Sequence, residues 1–325
     1  MKFGVGYFTA QRPPDDQRPF AEIYHDMLAH ARLVDRSGLD SFWVVEHHFC
    51  HDGYLASPVA VAGAVLGSTD HLLVGIGMAA VSHQPLRMAE DLIALDLLAP
   101  GRVQLHLSAG YIKHEYAGFG VDYEMRANRY AETIEVVRLA FAGRPFAFDG
   151  QHHHVSELTV TPPPATPGGP RLVFSGGTVE AATRAAKLGG IYKVDASVGW
   201  EDAKKLVAAY DAAGGDPDAL HVQAYGFVDE GGPQAAWAKA VDGFIYMRET
   251  YDSWGWAPYK AASRDPKDYR LLLGNVDQVA AQVEEYRAQF GDRLHLTLRL
   301  SYPGMAAGPV SEAIGLWAKV AGRFR

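Results

Sequence analysis

A run of six residues, 46–51, holds a high density of side chains that can do chemistry. It reads EHHFCH and contains three histidines, one carboxylate and Cys50, the only cysteine of the chain. Side chains of these types can hold a metal ion, act as a thiol nucleophile, or transfer protons near neutral pH. These three chemistries make different demands on the residues around the run.

The spacing of the histidines argues against a metal site. Zinc accepts three imidazoles, but residues 41–48 are predicted to form a strand, in which neighbouring side chains point to opposite faces. His47 and His48 therefore should not both face one ion, and neither a helical HExxH spacing nor a second cysteine is present. The run His152 to His154 lies beside a predicted turn and is expected to be solvated. We predict no metal.

Proton transfer by histidine is the remaining use of the run. Cys50 has no helix N-terminus or cluster of cations beside it that would lower the pKa of its thiol, so we interpret it as structural. A histidine needs no metal and suits a reaction that moves one proton. The candidate catalytic residues are therefore Glu46, His47 and His48, and Glu46 could hold the tautomer of an imidazole or orient a neighbour.

Strand and helix patterns alternate along nearly the whole chain. Eight apolar runs are predicted to be strands, at residues 3–8, 41–48, 72–80, 102–110, 171–177, 191–196, 221–230 and 293–302. A helical pattern follows each, so the strands should be parallel with right-handed crossovers. Eight such units predict an α/β fold, a (β/α)8 TIM barrel in one domain over 1–325. The alternative is a doubly wound sheet, but the first strand lacks the GxGxxG loop that dinucleotide binding uses.

Two segments interrupt this alternation. Residues 145–170 combine a hairpin, with a turn at Asp149-Gly150, and a proline-rich connector. Residues 249–274 mix aromatic and charged side chains without a clear period, which is typical of a lid over an active site. In such a lid, Trp254, Trp256 and Tyr259 would exclude water.

The carboxyl ends of the strands should hold the functional site, as in other barrels. The EHH run falls at the end of the second strand. The fifth strand is followed directly by a helix, and the backbone N–H groups of this junction could bind a phosphate or simply form a capped turn. The fourth strand end offers a hydroxyl, a close backbone approach and an aromatic ring. The residues of these two ends are Ser175, Gly176, Gly177 and Thr178, and Ser108, Gly110 and Tyr111.

The composition restricts the class of partner. The net charge of -8 and the absence of a basic run argue against nucleic-acid binding. A single cysteine excludes an internal disulfide and fits a reducing cytoplasm. The first residues are predicted to form a strand instead of a signal peptide, and no apolar run reaches the length of about 20 residues that a membrane span needs.

Several stretches of this sequence resemble the bacterial luciferase-like monooxygenases, a family of flavin-dependent (β/α)8 enzymes. The resemblance is densest in the first 143 residues. It is carried by SGLDSFWVVEHHF at 37–49, by the stretch from HLLVGIGMAA to HLSAGY at 71–111, by HEYAGFGVDYEMRANRYAETIEVV at 114–137, and by SGG at 175–177.

The resemblance implies an FMN molecule lying across the carboxyl face of the barrel. Its phosphate would lie near Ser175–Thr178 and the fourth strand end. Its ring would lie against Gly77, Met78 and Ala79, where such proteins often carry a cis peptide bond between non-proline residues. His47 matches the catalytic histidine of the family.

One position departs from the family. The luciferases carry an arginine on the fourth strand that binds the phosphate, and this chain has Ala109 there. Arg126, Arg129 or Lys113 could replace that arginine. Otherwise the phosphate is bound mainly by backbone groups, or the cofactor differs.

Three functions are compatible with these residues. The first is a two-component monooxygenase that takes reduced FMN from a separate NAD(P)H-dependent reductase and uses dioxygen to oxidise a small hydrophobic organic substrate, such as an aldehyde or ketone. The second is a deazaflavin-dependent oxidoreductase that transfers hydride, with a basic groove built from Lys113, Lys193, Lys260 and Lys267. The third is a non-catalytic flavin-binding protein. Small residues in the helix at 57–69 also predict a homodimer.

Overall fold

The computed structural model describes residues 1–195, 198–255 and 262–325. Eight parallel strands form the barrel: β1 (Lys2–Phe8), β2 (Ser41–Val45), β3 (Leu73–Ala79), β4 (Val103–Ser108), β7 (Arg171–Ser175), β8 (Ile191–Val194), β9 (Leu220–Val228) and β11 (Leu294–Arg299). The strands β5 (Phe146–Asp149), β6 (His154–Leu158) and β10 (Leu271–Gly274) lie outside it. The sheet closes because β1 pairs with both β2 and β11, and β8 pairs with β9. The predicted (β/α)8 fold is confirmed.

Helices follow the strands and cover the outside of the barrel. They are α1 (Phe20–Arg36), α2 (Pro58–Leu66), α3 (Pro85–Leu98), α4 (Lys113–Gly118), α5 (Arg126–Phe141), α6 (Val179–Lys187), α7 (Trp200–Ala212), α8 (Pro233–Ser253), α9 (Val276–Phe290) and α10 (Ala307–Ala321). Proline occupies the first turn of α2, α3 and α8, where its missing N–H is tolerated. No helix in the described ranges is long and apolar enough to cross a membrane.

Alternating side chains of the strands form two different cores. Phe3 and Val5 are fully buried on the outer face of β1, where Phe3 packs against Trp317 of α10. Trp43 points to the inside and fills the bottom of the barrel. Gly75 of β3 makes room for it, because an added Cβ would lie 2.1 Å from the indole. The interior above this plug stays open toward the carboxyl ends of the strands.

The second strand is shorter than the sequence predicts. It ends at Val45, so His47 and His48 lie in the loop that follows, where Phe49 has a φ of 59°. Strand alternation therefore does not apply to the two histidines, and that part of the argument against a metal site is wrong. Among the described residues, no group of three or more His, Cys, Asp and Glu side chains is arranged to hold a metal ion.

The two irregular segments contain short regular elements. In residues 145–170, β5 and β6 form an antiparallel pair. In residues 249–274, α8 extends to Ser253 and β10 pairs with the end of β9, a strand that the sequence pattern did not reveal. Trp254 is described, whereas Trp256, Tyr259 and Lys260 lie outside the described residues.

Candidate active site

A cavity of about 420 Å³ opens at the carboxyl ends of the barrel strands. Most residues predicted from the sequence line it. They are Glu46, His47, Gly77, Met78, Ala79, Ser108, Gly110, Tyr111, Ser175 and Gly176. The predicted residues His48, Gly177 and Thr178 are not among the lining residues, and Thr178 instead caps α6 by accepting a hydrogen bond from the backbone N–H of Ala181.

His47 is held by a carboxylate that the sequence does not reveal, Glu115. Its Nδ1 lies 3.0 Å from Oε1 of Glu115, and the same oxygen accepts a hydrogen bond from the backbone N–H of His48 at 2.8 Å. Glu115 is 1% exposed and belongs to the short helix α4. This contact favours the tautomer with a proton on Nδ1, which leaves Nε2 of His47 for a ligand. Glu115 thus has the orienting role that the sequence suggested for Glu46.

Aromatic rings enclose the imidazole of His47. Tyr54 and Trp254 lie closest, with ring centroids 4.7 Å and 4.9 Å away, followed by Tyr111 at 5.8 Å and Tyr251 at 6.3 Å. The hydroxyls of Tyr54 and Tyr251 are hydrogen-bonded at 2.9 Å. This wall excludes much of the water around Nε2, which strengthens any hydrogen bond that His47 makes to a ligand.

Glu46 supports the end of β3. Its carboxylate accepts hydrogen bonds from the backbone N–H of Ala79 at 2.9 Å and the hydroxyl of Ser82 at 2.7 Å, and it lies 2.9 Å from Nε2 of His83. Burial raises the pKa of Glu46, but the interactions with His48, His83 and the Ala79 N–H outweigh it and bring the pKa to about 2. Nε2 of His48 lies 3.6 Å from this carboxylate, which is an ion-pair distance beyond hydrogen-bond range. Both residues therefore fix the loop around His47.

Arg184 supplies a cation at the end of the cavity where the phosphate was predicted to bind. It lines the cavity together with Ser108, Ser175 and Gly176, although it comes from α6 and was not predicted. The side chains of Arg126 and Lys113 instead lie over the ring of Tyr123, at 4.1 Å and 5.5 Å. Arg126, Arg129 and Lys113 are not among the lining residues.

Two polar side chains inside the barrel complete the floor of the cavity near this end. Nε2 of His106 lies 2.9 Å from the hydroxyl of Ser175. Burial lowers the pKa of His106 well below its ordinary value, and the neighbouring Lys193 acts in the same direction. Burial also lowers the pKa of Lys193 to about 8, opposed by the charge of Asp195. Such inward residues are hard to recognise in sequence because they interrupt otherwise apolar strands.

The Cys50 thiol and the cis peptide bonds of the backbone were also addressed by the sequence. Burial, with the charges of Asp52 and Glu115, raises the pKa of the Cys50 thiol to about 12, so the thiol stays protonated at neutral pH. The expected cis peptide bond at Gly77 to Ala79 is not found there. In the described ranges the cis bonds are Gly6–Tyr7 and Thr161–Pro162.

The barrel is a TIM barrel of the luciferase-like type. The sequence profile described as "Luciferase-like monooxygenase" matches residues 1–293, and the chain belongs to that family. The resemblance stated from the sequence is therefore confirmed. Its members include both flavin-dependent monooxygenases and F420-dependent dehydrogenases.

Curated relatives of both kinds are similar to this chain. The beta chain of the alkanal monooxygenase from Photorhabdus laumondii is 30% identical over 195 residues, which cover 58% of this chain and 60% of the relative. The F420-dependent hydroxymycolic acid dehydrogenase from Mycobacterium tuberculosis is 30% identical over 227 residues, which cover 66% of this chain and 62% of the relative. The chain thus spans less than two thirds of the length of either relative.

Solved structures match over nearly the full chain. The monooxygenase RslO1 from Streptomyces bottropensis has a TM-score of 0.87 at 24% identity, covering 98% of both chains. The oxygenating constituent of 3,6-diketocamphane monooxygenase from Pseudomonas putida, solved with FMN, has a TM-score of 0.82 at 16% identity, covering 99% of this chain and 98% of that one. At these identities the match establishes the fold.

Proposed function

We propose that this chain is the oxygenating component of a two-component monooxygenase. It would bind reduced FMN from a separate NAD(P)H-dependent reductase and use dioxygen to oxidise a small organic substrate. The observation that carries this proposal is His47, oriented by Glu115 and walled by aromatic rings, in a cavity with a cation at its far end. The similarity to an alkanal monooxygenase chain supports it.

The residues of the cavity fit an FMN molecule. Arg184, Ser175 and the backbone of Gly176 would hold the phosphate at the open end, which compensates for Ala109. The ring would lie against the small residues at the carboxyl ends of β3 and β4, which are Gly77, Ala79 and Gly110. Gly110 has a φ of 82°, a left-handed backbone conformation that favours glycine and leaves the backbone open to a close approach.

Reduced FMN, when bound, supplies two electrons to dioxygen, so that one oxygen atom enters the substrate and the other leaves as water. The protein contributes proton handling and exclusion of water. Nε2 of His47 would accept or donate the proton that moves in this reaction, while Glu115 fixes Nδ1. Tyr54, Tyr251 and Trp254 would keep bulk water away from the reacting atoms.

Turnover that depends on dioxygen and reduced FMN tests this function. Replacing His47 by alanine should lower turnover by about 100-fold or more, the usual contribution of a positioned acid–base group, and should leave FMN affinity nearly unchanged. His51→Ala is the matched control, because His51 is exposed and does not line the cavity. Unchanged turnover in His47→Ala would remove the assigned role. Tight FMN binding without any consumption of dioxygen or substrate would favour a non-catalytic flavin-binding protein.

A deazaflavin-dependent hydride transfer is the second candidate, favoured by the similarity to the F420-dependent dehydrogenase. The predicted basic groove for its acidic tail is not assembled by the described lysines. Lys193 is 5% exposed inside the barrel, Lys113 lies over Tyr123, and Lys267 is in an exposed turn within residues 249–274. We therefore expect titration to show tighter binding of FMN than of the deazaflavin. The reverse order would favour hydride transfer.

A further inference from the structure

Arg299 is a buried cation without a charged partner among the described residues. It lies at the end of β11, lines the cavity and is 2% exposed. Its Nη1 donates a hydrogen bond to the hydroxyl of Tyr251 at 2.9 Å, whereas Nε and Nη2 have no hydrogen-bond partner. A buried charge with unpaired N–H groups is strongly unfavourable, so these two nitrogens indicate a missing anionic partner.

The two unpartnered nitrogens lie on the same edge of the guanidinium group. Their N–H bonds point in nearly the same direction, which is the geometry that a carboxylate accepts with both oxygens at once. Each nitrogen shows less than 1 Å² of surface, so bulk water does not satisfy it.

Tyr7 supplies a third unpartnered donor nearby. It belongs to β1, the strand that pairs with β11, and its buried hydroxyl has no hydrogen-bond partner among the described residues. Tyr7 and Lys193 line the same cavity, and Nζ of Lys193 lies 4.7 Å from the centre of the Tyr7 ring. This side of the cavity therefore combines an aromatic surface with unpartnered donors and the cations Arg299 and Lys193, and the carboxylate of Asp195, which also lines the cavity, opposes the charge of Lys193.

The order of the strands separates this group from the phosphate end. In the closed barrel of eight strands, β11 lies four strands away from β4 and three from β7, on the opposite side of the mouth from Ser108 and Ser175. If the phosphate of FMN binds at Arg184, as the proposed function requires, that phosphate is not the anion at Arg299. Arg299 lies beyond the residues matched by the family profile.

We propose that Arg299 and Tyr7 bind a carboxylate of the substrate, so that the substrate is a small organic acid with an apolar body. Arg299 would hold both carboxylate oxygens through Nε and Nη2, and the Tyr7 hydroxyl would donate a further hydrogen bond. Tyr251, which is bonded to Arg299 and Tyr54, would place the acid beside His47.

Binding of benzoate and benzamide by the FMN-loaded protein tests this proposal, because these probes share a ring and differ in charge. Isothermal titration should show benzoate binding at millimolar concentration, more tightly than benzamide. Arg299→Met should weaken benzoate binding by about 10- to 100-fold, the value of a charged double hydrogen bond, with FMN affinity unchanged. The control Arg293→Met removes an arginine that pairs with Asp211 away from the cavity, and it should change neither affinity.

Three results would overturn the proposal. The first is that wild-type protein does not bind benzoate, and the second is that it binds benzoate and benzamide equally well. The third is that Arg299→Met loses FMN affinity but still binds benzoate, and this result would assign Arg299 to the cofactor. If Arg299→Met does not fold, Tyr7→Phe gives the answer, with an expected loss of benzoate affinity of about fivefold for one hydrogen bond. If wild-type protein fails to bind FMN, the proposed function is wrong, and benzoate titration without FMN still measures the role of Arg299.

Discussion

The carboxylate of Glu46 should contribute a measurable part of the stability of the fold at neutral pH. Its hydrogen bonds to Ala79 and Ser82 and its contact with His83 connect the loop after β2 to the end of β3. Replacing Glu46 by glutamine keeps the size of the side chain and removes its charge. The change therefore measures the electrostatic part of this connection.

The magnitude follows from the pKa of Glu46, which falls from its ordinary value of 4.5 to about 2 in the folded chain. A difference of about 2.5 pKa units corresponds to about 3 kcal/mol of folding free energy. Because the pKa is lower in the folded state, this stabilisation is fully present above pH 4.5. It is lost as the pH falls toward 2, and about 2 kcal/mol should be gone by about pH 3.

Urea unfolding at pH 6 and pH 3 measures this effect. Glu46→Gln should be less stable than wild type by about 3 kcal/mol at pH 6 and by about 1 kcal/mol near pH 3. Glu157→Gln is the control, since Glu157 is exposed and has no ion pair among the described residues, and it should match wild type at both pH values. An equal difference between wild type and Glu46→Gln at both pH values would refute this reasoning, because the difference would then not come from the charge.

Three further predictions concern the cofactor, the floor of the cavity and association. Arg184→Met should weaken FMN binding by about tenfold and leave riboflavin binding unchanged, because only FMN carries the phosphate; an equal loss for both ligands in fluorescence titrations would contradict the assigned role. Lys193→Met should raise the free energy of unfolding at pH 7 by about 3 kcal/mol, because burial lowers the pKa of Lys193 from 10.5 to about 8 and makes its charge costly. Wild type should gain stability between pH 8 and 10.5 and approach the variant, and a constant difference in urea unfolding would disprove this explanation. The predicted homodimer would use the small residues Ala60, Gly63 and Ala64 of α2 and Gly67 directly after it, of which Ala60, Ala64 and Gly67 are exposed. Ala64→Trp should therefore give a monomer by light scattering, and a monomeric wild type would remove the dimer.

The barrel was predictable because its signal is repeated. Each strand contributes a short apolar run followed by an amphipathic helix, so an error at one boundary, such as the end of β2 at Val45, does not change the topology. The strand β10 was hidden because only four residues, Leu271–Gly274, carry it inside an aromatic and charged segment. Its pairing with β9 is a tertiary contact that local patterns do not contain.

The candidate site was only partly predictable. His47 is conspicuous because of its neighbours in sequence, but Glu115 lies 68 positions away, and a single acidic residue in a short helix has no local signature. Arg184 reaches the cavity from a helix whose pattern suggests only surface charge. Arg299 and Lys193 are inward residues of strands, and their role depends on the closure of the barrel.

The pairing of β1 with β11 has a consequence for the synthesis of the protein. β1 is made first among the strands, but one of its two edges has no partner until Leu294–Arg299 has left the ribosome. During most of translation the growing sheet is open, and its unpaired edge could attract other chains or chaperones. The same late strand brings Arg299, so the cavity cannot take its final form until the barrel has closed. A nascent chain stalled before residue 294 should therefore be more sensitive to protease than one that has released β11.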